Sequence, residues 1–217
     1  MIVVIDYGMG NLGSVANIIK KVGHTCTVTS DLSVIEKAEK LILPGVGSFD
    51  NGMENLNRLG ISEVLTKKVI QDKTPILGIC LGAQLMLEAS EEGKLPGLNW
   101  IKGEVIKFRF AEKQINQRIP HMGWNQVELI KQNPVFNNMY ENPKFYFVHS
   151  YHFQLDNETD TLTTTDYGYE FSSGFAKENI TGLQFHPEKS HKYGMLVYKN
   201  FLECPIPTFP KGEGEKP

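Results

Sequence analysis

The chain predicts an α/β fold: a mostly parallel central sheet with flanking helices, carrying additional antiparallel strands in its second half. Three observations point there. Short, continuous apolar runs such as Ile2 to Ile5 alternate with helical segments through the first half, the mark of strands buried on both faces. Glycine-bearing turns follow those strands, and after Trp100 the text changes to short β-rich segments separated by polar turns, as antiparallel strands require.

Taken in order, the strand Ile2 to Ile5 leads through Tyr7-Gly8-Met9-Gly10-Asn11 into a helix over Leu12 to Val22. The run from Gly8 to Gly13 satisfies G-x-G-x-x-G on paper. The second strand, Cys26 to Thr29, ends on Ser30-Asp31, at best a marginal ribose-binding carboxylate, so dinucleotide binding is set aside. A helix over Leu32 to Ala38 and a strand over Lys40 to Leu43 continue the alternation, followed by the turn Pro44-Gly45-Val46-Gly47. In a parallel sheet that turn lies at the carboxyl edge, where free N–H groups can meet an oxyanion. Asn55 to Gln71 reads as one helix leading into the strand Pro75 to Ile79. Short β-rich segments follow at Lys102 to Phe110, Trp124 to Ile130, Lys144 to Phe153 and Thr161 to Thr165, then a strand through Gly182 and a short helix over Val197 to Leu202.

Composition narrows the class. A chain of 217 residues with 41% hydrophobic content supports one domain with a packed core. We expect residues 1–203 to form it and the proline-rich 204–217 tail to be disordered. A net charge of -3 leaves no electrostatic footprint for nucleic acid. Three cysteines, too few and too scattered for a zinc pattern or a disulfide framework, fit a reducing, cytoplasmic setting. Neither a signal peptide nor a membrane span is expected.

Two stretches carry chemistry. Gly78-Ile79-Cys80-Leu81-Gly82 is a strand-turn-helix elbow with cysteine at its tip, the sulfur counterpart of the G-x-S-x-G bend. Small neighbours two residues away on either side relieve crowding. A helix over Ala83 to Glu92 would place its positive end at Cys80 and favour the thiolate, and the Leu81 N–H would face the oxyanion. The second stretch, Gln184-Phe185-His186-Pro187-Glu188, follows a strand and sets imidazole and carboxylate two residues apart. Extended backbone would put both side chains on one side, the carboxylate holding the ring's tautomer.

Elbow and Phe185-His186-Pro187-Glu188 together resemble the triad glutaminases, the class I glutamine amidotransferase family. Ile5-Asp6-Tyr7-Gly8-Met9-Gly10-Asn11-Leu12, Leu43-Pro44-Gly45-Val46-Gly47, Pro120-His121-Met122-Gly123-Trp124-Asn125 and Val148-His149-Ser150-Tyr151 narrow the likeness to the branch that serves a (β/α)8 cyclase in histidine biosynthesis. Ala83 and His152 stand where that branch is expected to carry methionine and an aromatic.

The resemblance implies a class I glutaminase fold in which Cys80 attacks L-glutamine, His186 moves the proton and Glu188 orients His186. It implies glutamine contacts from Gly47, Gln84, Glu92, Ser150 and Tyr151, and oxyanion donors at Gly45, Val46 and Leu81. It also implies a cyclase-docking surface including Asn11, Pro120, Met122, Trp124 and Asn125, and no metal or organic cofactor. A paralogous branch, supplying ammonia for acetamidino sugars of surface polysaccharide, would share this chemistry. A cysteine peptidase or γ-glutamyl hydrolase would also use Cys and His on this fold, without requiring the Trp124 patch and the Pro44 turn together.

Overall fold

The computed structural model describes residues 1–111 and 117–205. Its strands are β1 (Ile2–Ile5), β2 (Thr27–Thr29), β3 (Lys40–Gly45), β4 (Ile76–Cys80), β5 (Ala89–Ser90), β6 (Gly103–Lys107), β7 (His121–Gln126), β8 (Glu128–Leu129), β9 (Lys144–His149), β10 (Tyr151–Leu155), β11 (Thr161–Asp166), β12 (Glu170–Lys177) and β13 (Ile180–Leu183). The helices are α1 (Leu12–Lys21), α2 (Leu32–Ile35), α3 (Phe49–Arg58), α4 (Ile61–Thr66), α5 (Leu81–Gln84) and α6 (His191–Glu203).

The mostly parallel sheet is borne out. In the order β2-β1-β3-β4-β13 all neighbours run parallel. β12, β10 and β6 continue it antiparallel, β5 closes that path beside β6, and β11 and β8 branch from β12. β7 and β9 make a separate antiparallel pair.

Period-2 alternation explains why the parallel strands are apolar throughout. Val3, Ile5, Leu41 and Leu43 enter one core, while Val4, Ile42, Leu77 and Ile79 enter the other, on the opposite face. Register then fixes the working edge. Gly45 pairs with Cys80 and Leu183 with Ile79, so the chain leaves β3, β4 and β13 side by side at one carboxyl rim.

Several elements differ from the sequence reading. The helix expected over Asn55 to Gln71 begins at Phe49 and breaks at Gly60, whose φ of 70° is left-handed; α4 then ends in a π-helical turn over Lys67–Gln71. The helix behind Cys80 is one turn, not ten residues. Its continuation is pre-empted because the N–H groups of Leu98, Trp100 and Asn99 bond the carbonyls of Leu85, Met86 and Leu87. The last helix starts at His191, six residues before the expected Val197. Of the expected disordered tail, 206–217 lies outside the described residues.

Lys40 anchors this last helix. Its Nζ, at the start of β3, donates to the carbonyls of Phe201 (2.9 Å), Leu202 (2.5 Å) and Cys204 (2.6 Å), helix-end acceptors with no intrahelical partner. Lys40→Met keeps the buried stem and removes all three bonds. Stability is expected to fall by about 2–3 kcal/mol, read as a lower denaturant midpoint at unchanged m.

Candidate active site

Cys80 stands at the tip of β4 with φ 52° and ψ -113°, a strained conformation for a residue with a side chain. The strain pushes its sulfur out of the sheet, and the flanking glycines make it feasible. A Cβ on Gly82 would lie 1.8 Å from the Leu43 carbonyl oxygen, and one on Gly78 would lie 2.8 Å from Ala83 Cα. The sequence argument for small residues on both sides therefore holds in the packing. The dipole of a single-turn α5 adds little, so the sulfur's main charged neighbour is an imidazole.

That imidazole is His186. The chain leaves β13 through Gln184 and Phe185, and His186 N–H donates to the Tyr146 carbonyl at 2.9 Å, fixing the backbone on β9. His186 Nδ1 meets Glu188 Oε1 at 2.7 Å, both side chains being buried. The backbone between them is not extended as expected: Pro187–Lys189 is a 3-10 turn with proline at its start, which brings the carboxylate under the ring. Ser190 Oγ donates to the His186 carbonyl and accepts from Tyr146 N–H, tying the turn down.

Among the described residues no atom meets full hydrogen-bond geometry at His186 Nε2, yet Cys80 lies close enough to interact with the ring. Burial disfavours the imidazolium, but negative charge on Cys80 and Glu188 outweighs it and holds the ring's pKa up at about 10. Whenever the sulfur carries negative charge, the ring beside it holds its proton more tightly.

A pocket of about 330 Å³ opens over Cys80. Val46, Gly47, Leu81, Gln84, Glu92, Ser150 and Tyr151 line it, with Pro120, Val148 and His149. The structure thus gathers all five expected glutamine contacts around the sulfur. Gly45 lies beside Cys80 on the adjacent strand, in register with it. Glu92 Oε2 accepts the Phe49 N–H at 2.9 Å, capping α3 where Ser48 offers no side-chain cap, so its carboxylate is held in place. Gln84 donates to Gln184 Oε1 (3.0 Å) and to the Tyr151 carbonyl (3.3 Å).

Sequence reading did not single out Gln184, whose amide Nε2 lies 3.7 Å from the Cys80 sulfur. Its position beside Phe185-His186 was the available signal. Of the expected docking residues, Met122 (61% exposed) and Trp124 (45%) stand out of the surface. Pro120 borders the pocket mouth, and Asn11 caps α1 through its side chain. Asn125 is turned inward, its amide donating to the Asp166 carbonyl. The ring of Trp124 stacks on His191 at 5.3 Å, just beyond the turn that carries Glu188.

The fold thus brings a strained cysteine elbow and a buried His–Glu pair together at one carboxyl rim of the sheet. The family profile described as glutamine amidotransferase class-I matches residues 3–204, and the chain belongs to that family. The narrower resemblance also holds. Imidazole glycerol phosphate synthase subunit HisH 2 of Methanococcus maripaludis is 52% identical over 203 residues, covering 94% of this chain and 99% of its own. The protein of the same name from Pseudomonas aeruginosa is 47% identical over 203 residues, covering 94% and 99%. Among solved structures, a glutamine amidotransferase aligns with TM-score 0.72 at 17% identity, covering 93% of this chain and 97% of that one. PurLQS of Thermotoga maritima aligns with TM-score 0.70 at 19% identity, covering 93% and 96%. At those identities the structures speak for the fold alone.

Proposed function

We propose that this chain is the glutaminase subunit of an imidazole glycerol phosphate synthase, hydrolysing L-glutamine to glutamate and ammonia. The observation that carries the reading is the meeting of Cys80 with the buried His186–Glu188 pair beneath a pocket lined by Gln84, Glu92 and Tyr151.

Thiolate attack on the side-chain carboxamide gives a tetrahedral oxyanion, facing backbone N–H groups of the Gly45-Val46 turn and Leu81. His186 Nε2 hands its proton to the departing nitrogen. Acylation supports that step, because a thioester sulfur no longer carries the charge that holds the ring's proton. The neutral ring then takes a proton from the water that releases glutamate. Glu188 fixes the ring by accepting from Nδ1. In this reading Gly47, Gln84, Glu92, Ser150 and Tyr151, which line the pocket, contact the glutamine.

Free ammonia is protonated in neutral water, so its use requires a closed route to an acceptor. The proposed acceptor is a (β/α)8 cyclase subunit, forming imidazole glycerol phosphate and 5-aminoimidazole-4-carboxamide ribotide (AICAR) in a heterodimer. Met122 and Trp124 are its anchors, since exposed Met and Trp beside a pocket mouth are natural hot spots. No metal or organic cofactor enters these steps. Among the described residues no helix is long and apolar enough to cross a membrane, and the cytoplasm is the proposed setting.

One observation favours a second reading. Both relatives quoted above are numbered 2, as for one of several copies, and a further copy is free to serve another acceptor, such as an amidotransferase making acetamidino sugars. Complementation decides. Rescue of a histidine auxotroph lacking its own glutaminase subunit is the expected result, with glutamate release rising when cyclase and nucleotide ligand are added. Failure to rescue, despite glutaminase activity beside the other acceptor, overturns the histidine-pathway assignment.

A further inference from the structure

The strand β7 has two faces that do different things. Met122 and Trp124 point out to solvent, while His121 and Asn125, on the opposite face by the period-2 rule, point in. The inward pair begins a line of hydrogen bonds. His121 Nδ1 lies 3.0 Å from His149 Nε2, and His149 Nδ1 lies 2.7 Å from the Tyr151 carbonyl oxygen. His121 Nε2 lies 3.3 Å from the Asn125 amide nitrogen.

The direction of this line is fixed by its ends. A carbonyl only accepts, so His149 Nδ1 carries the proton and His149 Nε2 is the acceptor. His121 Nδ1 must then donate, leaving His121 Nε2 to accept. The Asn125 amide is oriented to supply that donor: its oxygen accepts the Gln126 N–H at 2.8 Å, and its nitrogen also donates to the Asp166 carbonyl at 2.8 Å. Every atom of the line is satisfied only when both rings are neutral Nδ1–H tautomers. Burial favours that state, pushing His121 down to about 4 and His149 well below the usual histidine range.

The line ends on the wall of the pocket. The Tyr151 carbonyl also accepts from Gln84, and His149, Ser150, Tyr151 and Gln84 all border the space over Cys80. Packing holds the first ring in place: His121 stacks between Phe147 (4.6 Å) and Tyr167 (3.8 Å).

We propose that His121 and His149 are positioning residues, a one-directional neutral relay that sets the Tyr151–Gln84 wall of the pocket and ties it to the strand presenting Met122 and Trp124. The proposal rests on the glutaminase reading for its kinetic consequence, but its geometry is measurable without it. His121 acts through His149, and His149 through the Tyr151 carbonyl it orients.

Two measurements test this on the full chain. Nitrogen-15 NMR of histidine-labelled protein at neutral pH is expected to show His121 and His149 neutral and protonated at Nδ1. An Nε2–H tautomer or an imidazolium at either position overturns the relay, whatever the enzyme does. In the complex with cyclase, His121→Phe keeps an aromatic ring between Phe147 and Tyr167 but deletes the donor. The glutamine KM is expected to rise about tenfold with kcat changed less than threefold, the signature of lost binding rather than lost chemistry. His121→Asn, which returns an N–H donor near the place of ring Nδ1, is expected to bring KM back to within about threefold of the unsubstituted chain. An unchanged KM in His121→Phe, or equal impairment of both variants, refutes the positioning role. If His121→Phe does not fold, the tautomer assignment decides. Absence of glutamate release from the unsubstituted complex counts against the glutaminase reading instead, and leaves the NMR result to judge the relay.

Discussion

Cys80→Ala is expected to abolish glutamate release, by a factor of at least about 10⁴, while leaving the chain folded. Both halves of that expectation come from the site. The sulfur is the nucleophile in the proposed reaction, and removing a nucleophile from a triad costs several orders of magnitude even when every other group remains. Alanine keeps the Cβ at the strained φ of 52° and the clearance provided by Gly78 and Gly82. Only one buried heavy atom is lost, so stability should change by about 1 kcal/mol or less. Glutaminase assay with the cyclase present, beside a thermal melt, checks it. A folded Cys80→Ala chain that still releases glutamate at the original rate removes the covalent mechanism. Labelling adds an independent arm, since a thiol-reactive glutamine analogue should modify Cys80 and leave Cys26 and Cys204 untouched when used at low stoichiometry.

The parts of this site that were legible in the text are those whose constraint is local. Glycines two residues either side of Cys80 answer to a clash with the Leu43 carbonyl and Ala83, so they have to be written next to the cysteine. The buried parallel strands were equally plain, because burial on both faces leaves no polar position in Ile2 to Ile5. What failed was whatever distant residues decide. The composition after Cys80 suits a helix, yet the segment 97–101 claims the carbonyls that helix would need. β12 was missed because Ser172, Ser173 and Gly174 dilute its apolar pattern. Ser173 is nonetheless buried, bonded to the hydroxyls of Thr163 and Thr165 on the neighbouring strand. The contact of His186 with Glu188 was foreseen for the wrong reason, a turn rather than an extended strand producing it. Asn125 illustrates the limit best: a polar residue beside Trp124 reads as surface, whereas it shares the face of His121 along β7, and only packing in the fold makes that face the inner one.

Glu188→Gln offers the sharper probe of how the proton is managed, because it changes charge with almost no change in shape. Glu188 is one of the negative groups that hold His186 up at about 10, so its neutralisation lowers the ring's pKa. The sign follows directly. In the unsubstituted chain the ring keeps its proton throughout the neutral range, and the alkaline limb of the rate profile lies well above it; in the variant that limb moves toward neutral pH. A second effect acts on the tautomer. A carboxylate at 2.7 Å can only accept from Nδ1, whereas a glutamine amide can also donate to it, which leaves the proton on Nε2 and deprives the deacylating water of its base. Together these are expected to lower kcat by about 10²–10⁴ with a smaller change in glutamine KM, since the pocket wall at Gln84, Glu92 and Tyr151 is untouched. Rate profiles of both chains across the neutral to alkaline range make the comparison. Coincident profiles would show that the ring needs no carboxylate behind it, and that the buried pair serves the turn at Pro187 rather than the reaction.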